Sequence, residues 1–141
     1  IIGFNTKFSH NNWDIGLSAR AVLGNYVYNN AASNSSIQSL TTNNYLQNVY
    51  STAAEYKFTS PQYFSDIFVE NASFLRLDNI NAGYNFKDLF YKGSNVRVYA
   101  MLQNVFVITK YSGIDPEVFG NIDNGYYQMP KVYSLGFNFQ F

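Results

Sequence analysis

The 141-residue chain has no cysteine, three prolines and one histidine. Without thiols there is no disulfide framework and no thiolate metal site, and any redox compartment is compatible. Charge is also scarce: Asp, Glu, Lys and Arg together make up 13% of the chain, and nine basic side chains cancel nine acidic ones. No basic field exists to steer nucleic acid or to hold an anionic surface, so nucleic acid is not an expected partner. No apolar run approaches the roughly eighteen residues of a membrane-crossing helix. The chain starts at Ile1-Ile2-Gly3-Phe4 with neither Met nor a signal segment, and reads as a fragment or the processed end of something longer.

Catalytic constellations are missing too. His10 lies in a turn with no carboxylate at a useful spacing. Asp115-Pro116-Glu117 and Asn121-Ile122-Asp123-Asn124-Gly125 gather oxygen ligands, but the second run lacks the closing Glu of a calcium loop, and turn chemistry around Pro116 and Gly125 explains both. Asn34-Ser35-Ser36 and Asn71-Ala72-Ser73 match the glycosylation triplet, a pattern too short to carry a site by itself. With no Gly-rich phosphate loop and no Ser/His/Asp arrangement, neither an enzyme nor a cofactor site is expected.

What the chain does have is aromatic rings, 19% of its residues, and alternation. In the last ten residues Tyr133, Leu135, Phe137, Phe139 and Phe141 hold the odd positions, with Ser134, Gly136, Asn138 and Gln140 between them. A period of two marks a strand with one apolar and one polar face, and about ten residues is the length of a tilted membrane-crossing strand. Similar alternation predicts strands over roughly 1–9, 13–28, 74–86, 95–106 and 132–141, the first two joined by a three-residue turn, His10 to Asn12. Tyr26 and Tyr28 suit an interfacial girdle. Leu75 and Leu77 sit on one parity and Ile80, Ala82, Tyr84 and Phe86 on the other, which predicts a β-bulge near Asp78-Asn79.

Long polar loops are expected over 29–73 and 107–131, the first with one short helix around Tyr45 to Lys57; an ordered subdomain there is the less favoured alternative for want of a helical stripe. Short connections at 10–12 and 87–95 fall at one end and the long ones at the other, the rule for outer-membrane barrels. Lys7, Asp14, Arg20 and Arg97 all lie on the non-apolar parity. A lysine or arginine facing mid-bilayer lipid costs roughly 2–4 kcal/mol, so a membrane barrel must sort charge in this way. The fold class read from the pattern is all-β, an antiparallel transmembrane β-barrel. Five strands cannot close one, so the remaining strands must be supplied from elsewhere.

From Phe64-Ser65-Asp66-Ile67-Phe68-Val69-Glu70-Asn71-Ala72-Ser73-Phe74-Leu75-Arg76-Leu77, through Gly83-Tyr84-Asn85-Phe86, Arg97-Val98-Tyr99 and Gln103-Asn104-Val105-Phe106, to Thr109-Lys110-Tyr111-Ser112-Gly113-Ile114-Asp115-Pro116-Glu117 and Pro130, the sequence resembles the C-terminal region of the SusC/RagA family of TonB-dependent outer-membrane transporters from Bacteroidetes-type bacteria. The resemblance covers the chain from about Phe64 onward; residues 1–28 fit more loosely. It implies that the chain supplies the last five strands of a barrel that is 22-stranded in the family, filled by a plug, lidded by a SusD-like surface lipoprotein, and energised by TonB to import a glycan or peptide. The expected partners are the rest of the barrel, that lipoprotein, the TonB complex through an absent plug, the substrate, and outer-membrane lipid. Tyr133, Leu135, Phe137, Phe139 and Phe141 would form the terminal strand offered to the barrel-assembly machinery, a role carried over from outer-membrane proteins generally.

Two further residue sets are candidates. Lys7, Asp14, Arg20, Arg97 and Tyr99 could line an import path, with salt bridging between strands or toward the plug the more economical reading. The loop rings Tyr45, Tyr50, Tyr56, Tyr63, Phe64, Tyr111, Tyr126 and Tyr127 could stack on sugars, contact a partner, or pin down their own loops. The competing functions are a soluble or surface-attached β-rich glycan-binding module and a non-transporting, adhesin-like barrel.

Overall fold

The computed structural model of the chain describes residues 1–36, 50–58, 60 and 62–140. Its strands in chain order are β1 (Ile2–His10), β2 (Trp13–Val22), β3 (Tyr26–Asn29), β4 (Val69–Asn71), β5 (Phe74–Lys87), β6 (Asn95–Thr109), β7 (Ile122–Asp123) and β8 (Val132–Gln140). Among the described residues two short α-helices, α1 (Asn30–Asn34) and α2 (Ser51–Tyr56), follow β3. Two compact units share the chain: Ile1–Leu23, Phe74–Thr109 and Met129–Phe141 form the first, Gly24–Ser73 and Lys110–Gln128 the second.

The first unit is one antiparallel sheet in the order β1-β2-β5-β6-β8. Its register stacks the alternating residues into rows. Phe8, Ile15, Ala82, Ala100 and Leu135 share one row, and Thr6, Leu17, Ile80, Leu102 and Tyr133 the next. On the opposite face Ser9, Asp14, Gly83, Tyr99 and Gly136 form one row, and Lys7, Gly16, Asn81, Met101 and Ser134 another.

The burial of these faces is inverted with respect to a water-soluble sheet. Leu135 is 87% and Phe137 75% exposed, and Phe4, Phe8, Trp13 and Phe139 are exposed as well, whereas Asp14 is only 5% exposed. No solvent-facing surface of a soluble domain would carry so continuous an apolar field, because contiguous exposed patches beyond a few hundred Å² mark a contact with something apolar. No described helix is long and apolar enough to cross a membrane.

The bulge lies where the parity switch requires it. Ser18 pairs with Asn79 and Ala19 with Leu77, so Asp78 is the extra residue of β5. Beside it β6 adjusts too: Leu77 pairs with Phe106 and Asn79 with Gln103, and Asn104 takes a left-handed conformation with φ of 53°. The added residue keeps Leu75 and Leu77 on the same face as Ile80 and Ala82.

Several expectations are corrected. The first hairpin turn has two residues, Asn11 and Asn12, because His10 and Trp13 are already paired; Asn11 sits at φ 53°, a conformation asparagine tolerates. The strand expected over 13–28 ends at Val22, and Gly24, at φ 70°, breaks it. Tyr26 and Tyr28 therefore belong to a different sheet. Strand β6 runs three residues further than expected, to Thr109, since Val107, Ile108 and Thr109 find partners in Arg76, Leu75 and Phe74.

The polar stretches expected to be structureless loops form the second unit. Strand β3 lies between β4, antiparallel, and β7, parallel. Val27, Ala72 and Tyr111 make its buried core, with Val118 packed on it. The Asn29 side chain caps α1 by accepting from Ala32 N at 2.9 Å. The helix expected around Tyr45 to Lys57 is present as α2 over Ser51–Tyr56; its proposed beginning at Tyr45 lies outside the described residues. These strands have two to four residues, too few for a periodic signal, and side-chain amides supply much of their support: Asn25 Nδ2 donates to Pro116 O at 3.3 Å and Asn121 Nδ2 to Tyr26 O at 2.9 Å.

Candidate functional site

The polar face of the sheet brings four of its five candidates together. Arg97 on β6 reaches across β5 to Asp14 on β2, with Nε at 2.9 Å from Oδ1 and Nη2 at 2.5 Å from Oδ2. This is the bidentate fork a guanidinium makes with a carboxylate. Asn85 Nδ2 adds a donor to Asp14 Oδ1 at 3.3 Å, and the Arg97 guanidinium lies 4.9 Å from the centre of the Tyr99 ring.

Glycines make room for this layer. A Cβ on Gly83 would come within 2.6 Å of Arg97 Nη2, one on Gly136 within 2.6 Å of the Tyr99 ring, and one on Gly16 within 2.7 Å of Asn81 Nδ2. Long side chains thus lie flat over bare backbone on the neighbouring strand. Lys7, Asp14 and Arg97 line a recess of about 720 Å³ on this face, together with Asn5, Ser18 and Asn81.

Arg20 forms a separate pair. Its Nε donates to both oxygens of Asp78, at 3.0 and 3.2 Å, and its guanidinium lies 5.8 Å from the Phe74 ring centre. Sequence reasoning named Arg20 and placed the bulge at Asp78 but did not join them. The signal was available, since Asp78 follows Leu77 and by alternation falls on the face that carries Arg20.

Among the loop rings, Tyr111 is 6% exposed, and its hydroxyl donates to Asp123 Oδ2 at 2.8 Å. Burial, and then the bond to Asp123, push its phenol well above the ordinary 10.0. The Tyr50 hydroxyl meets Ser112 Oγ, which in turn donates to Glu70 Oε1 at 2.6 Å. Glu70 also accepts from Ser112 N at 2.9 Å and from Asn29 Nδ2 at 3.0 Å, so one carboxylate fastens three segments of the second unit. That hub was missed, because its members are scattered through stretches without periodicity. Tyr56, Tyr63, Phe64, Tyr126 and Tyr127 are exposed, Tyr127 almost completely at 98%. Tyr45 and Phe141 lie outside the described residues.

The acidic loops behave as turns. Glu117 N donates to Asp115 Oδ1 and Gly125 N to Asp123 Oδ1, each a side chain closing its own backbone two residues on. No group of metal-ligating side chains occurs among the described residues.

A sheet that gathers its ion pairs on one face and presents its aliphatic and aromatic side chains on the other is a section of a transmembrane β-barrel wall, with lipid on the apolar side. Relatives narrow this further. The chain is 42% identical, over its whole length, to the TonB-dependent receptor SusC of Bacteroides thetaiotaomicron, of which it spans 15%. It is 27% identical over 99% of its length to the TonB-dependent receptor P3 of Formosa agariphila, spanning 16% of that protein. Among solved structures it matches the RagAB peptide transporter with a TM-score of 0.75 at 28% identity over 96% of the chain and 16% of that one. The RagAB peptide importer in the open-open state matches with a TM-score of 0.78 at 27% identity, over 99% of the chain and 17% of that one. No family model matches. The chain is a segment of a SusC/RagA-type TonB-dependent receptor, and its place is the bacterial outer membrane.

Proposed function

We propose that this chain is the C-terminal wall section of an active importer that takes up oligosaccharides or oligopeptides with TonB energy and a SusD-like lipoprotein lid. The observation that carries this is the 42% identity to SusC, which extends over both the sheet and the loop unit. The matches to the RagAB peptide transporter and importer support the same class of work. In this reading the polar face, with Lys7, Asp14, Arg20, Arg97 and Tyr99, lines the lumen or meets the plug. Tyr56, Tyr63, Tyr126 and Tyr127 offer exposed rings to substrate or to the lipoprotein. Strand β8, ending toward Phe141, is the strand offered to the assembly machinery.

The test is uptake by cells lacking the native receptor and complemented with it. Labelled oligosaccharides and oligopeptides are supplied with TonB present or deleted. One of the two classes should accumulate only with TonB; TonB-independent accumulation, or none of either class with the receptor correctly folded in the outer membrane, overturns the reading.

A further inference from the structure

The lipid side of the sheet is not uniformly bulky. At the centre of the row Ile15, Ala82, Ala100, Leu135 two methyl groups lie side by side. The row toward the short turns carries Trp13, Tyr84, Val98 and Phe137, and the row on the other side Leu17, Ile80, Leu102 and Tyr133. The dip becomes an apolar groove of about 480 Å³, floored by Ala82 and Ala100 and walled by Trp13, Tyr84, Val98 and Leu135. Its short-turn end finishes in polar atoms, where Asn12 Nδ2 donates to the Tyr84 hydroxyl at 3.4 Å. There the Tyr84 ring meets Trp13 edge-on at 4.8 Å and Phe86 at 4.7 Å. Going inward from the turn, the surface runs from amide and hydroxyl, through packed rings, to a methyl-floored trough.

We propose that this groove seats one acyl chain of a glycerophospholipid of the periplasmic leaflet, with the lipid's ester region at the level of the Tyr84 hydroxyl and the Asn12 amide. The proposal rests on the membrane reading of the sheet and on short turns facing the periplasm. The occupant follows from the surroundings. The groove is continuous with the lipid-facing surface, it holds no charge, and its order from polar to aromatic to aliphatic matches the order of groups along a phospholipid. A trough that lipid failed to fill would forfeit the dispersion contacts of its lining. Lipid A belongs to the opposite leaflet, at the long-loop end of the strands.

The test uses the whole receptor in nanodiscs doped with a phosphatidylethanolamine carrying a diazirine in its acyl chain, and in parallel with a lipid A carrying the same group. After illumination, labelled peptides are mapped. The phosphatidylethanolamine label should concentrate at Ala82 to Tyr84 and Val98 to Ala100, and should fall several-fold in Ala82→Leu/Ala100→Leu while labelling near Phe4 and Phe8 is unchanged. Even labelling of the whole face, preference for lipid A, or unchanged labelling in the filled variant overturns the proposal. If the filled variant does not fold, the wild-type labelling pattern decides alone. Uptake is measured on the same receptor: absent import with localised labelling would defeat only the transport reading, and import with even labelling only the lipid seat.

Discussion

The sheet and the loop unit solve the same problem with opposite arrangements. In the sheet Leu135 and Phe137 face outward while Asp14 is buried and Arg97 half-buried. In the loop unit Val27, Ala72 and Tyr111 are inside and Tyr63, Tyr126 and Tyr127 outside, as in any small domain in water. The comparison shows that burial alone does not identify a core: the medium each surface meets decides which side chains it can expose. It also shows two ways of satisfying polar atoms. The sheet does so with ladder hydrogen bonds and a few charge pairs laid over glycines, the loop unit with a dense set of amide and carboxylate bonds around Glu70.

The strongest way to break this contrast is to place a charge on the face assigned to lipid. Leu135→Arg should cost about 2–4 kcal/mol and deplete the heat-modifiable folded receptor in outer-membrane fractions. The same substitution in the loop unit, at Tyr127, should leave the folded amount as it was. Equal tolerance at both positions would mean that the two units meet the same solvent.

A smaller effect is expected on the polar face. Asp14→Ala leaves the Arg97 guanidinium without its fork and should destabilise the receptor by about 1–3 kcal/mol, read as a lowered denaturant midpoint. Gly83→Ala should act through the same contact, because its Cβ would displace Arg97. The two effects should therefore fall short of additivity when combined. Gly3→Ala is the control: nothing lies within 4 Å of a Cβ there, and stability should be unchanged.

The smallest effect belongs to the loop unit and depends on pH. The folded Tyr111 phenol ionises well above 10.0. Below that value it is protonated whether folded or unfolded, and its contribution is complete. As pH rises past it, only the unfolded chain ionises, so stability falls. Melting followed from about pH 8 to about pH 11 should show a decline that flattens in Tyr111→Phe. An identical slope in the variant would assign the decline to other groups.

Much of the sheet was legible in the chain because alternation is a strong signal over nine residues or more. Even the bulge could be placed, since Leu77 and Ile80 disagree in parity. The sorting of Lys7, Asp14, Arg20 and Arg97 onto one face was legible for the same reason. The partners within that face were not: Arg97 reaches a strand it does not neighbour, and nothing local announces that Gly83 is its bed. The loop unit stayed hidden because strands as short as Ile122–Asp123 leave no period, and because asparagine, which suggests a loop, here serves as the scaffold.

The spare residue at Asp78 also bears on how such a wall could be recombined. The portions of β5 before and after it are half a step out of phase. A chimera that joins the part of this stave before Asp78 to the later part of another must carry Asp78 along, or it will turn half of its oily side chains onto the polar face.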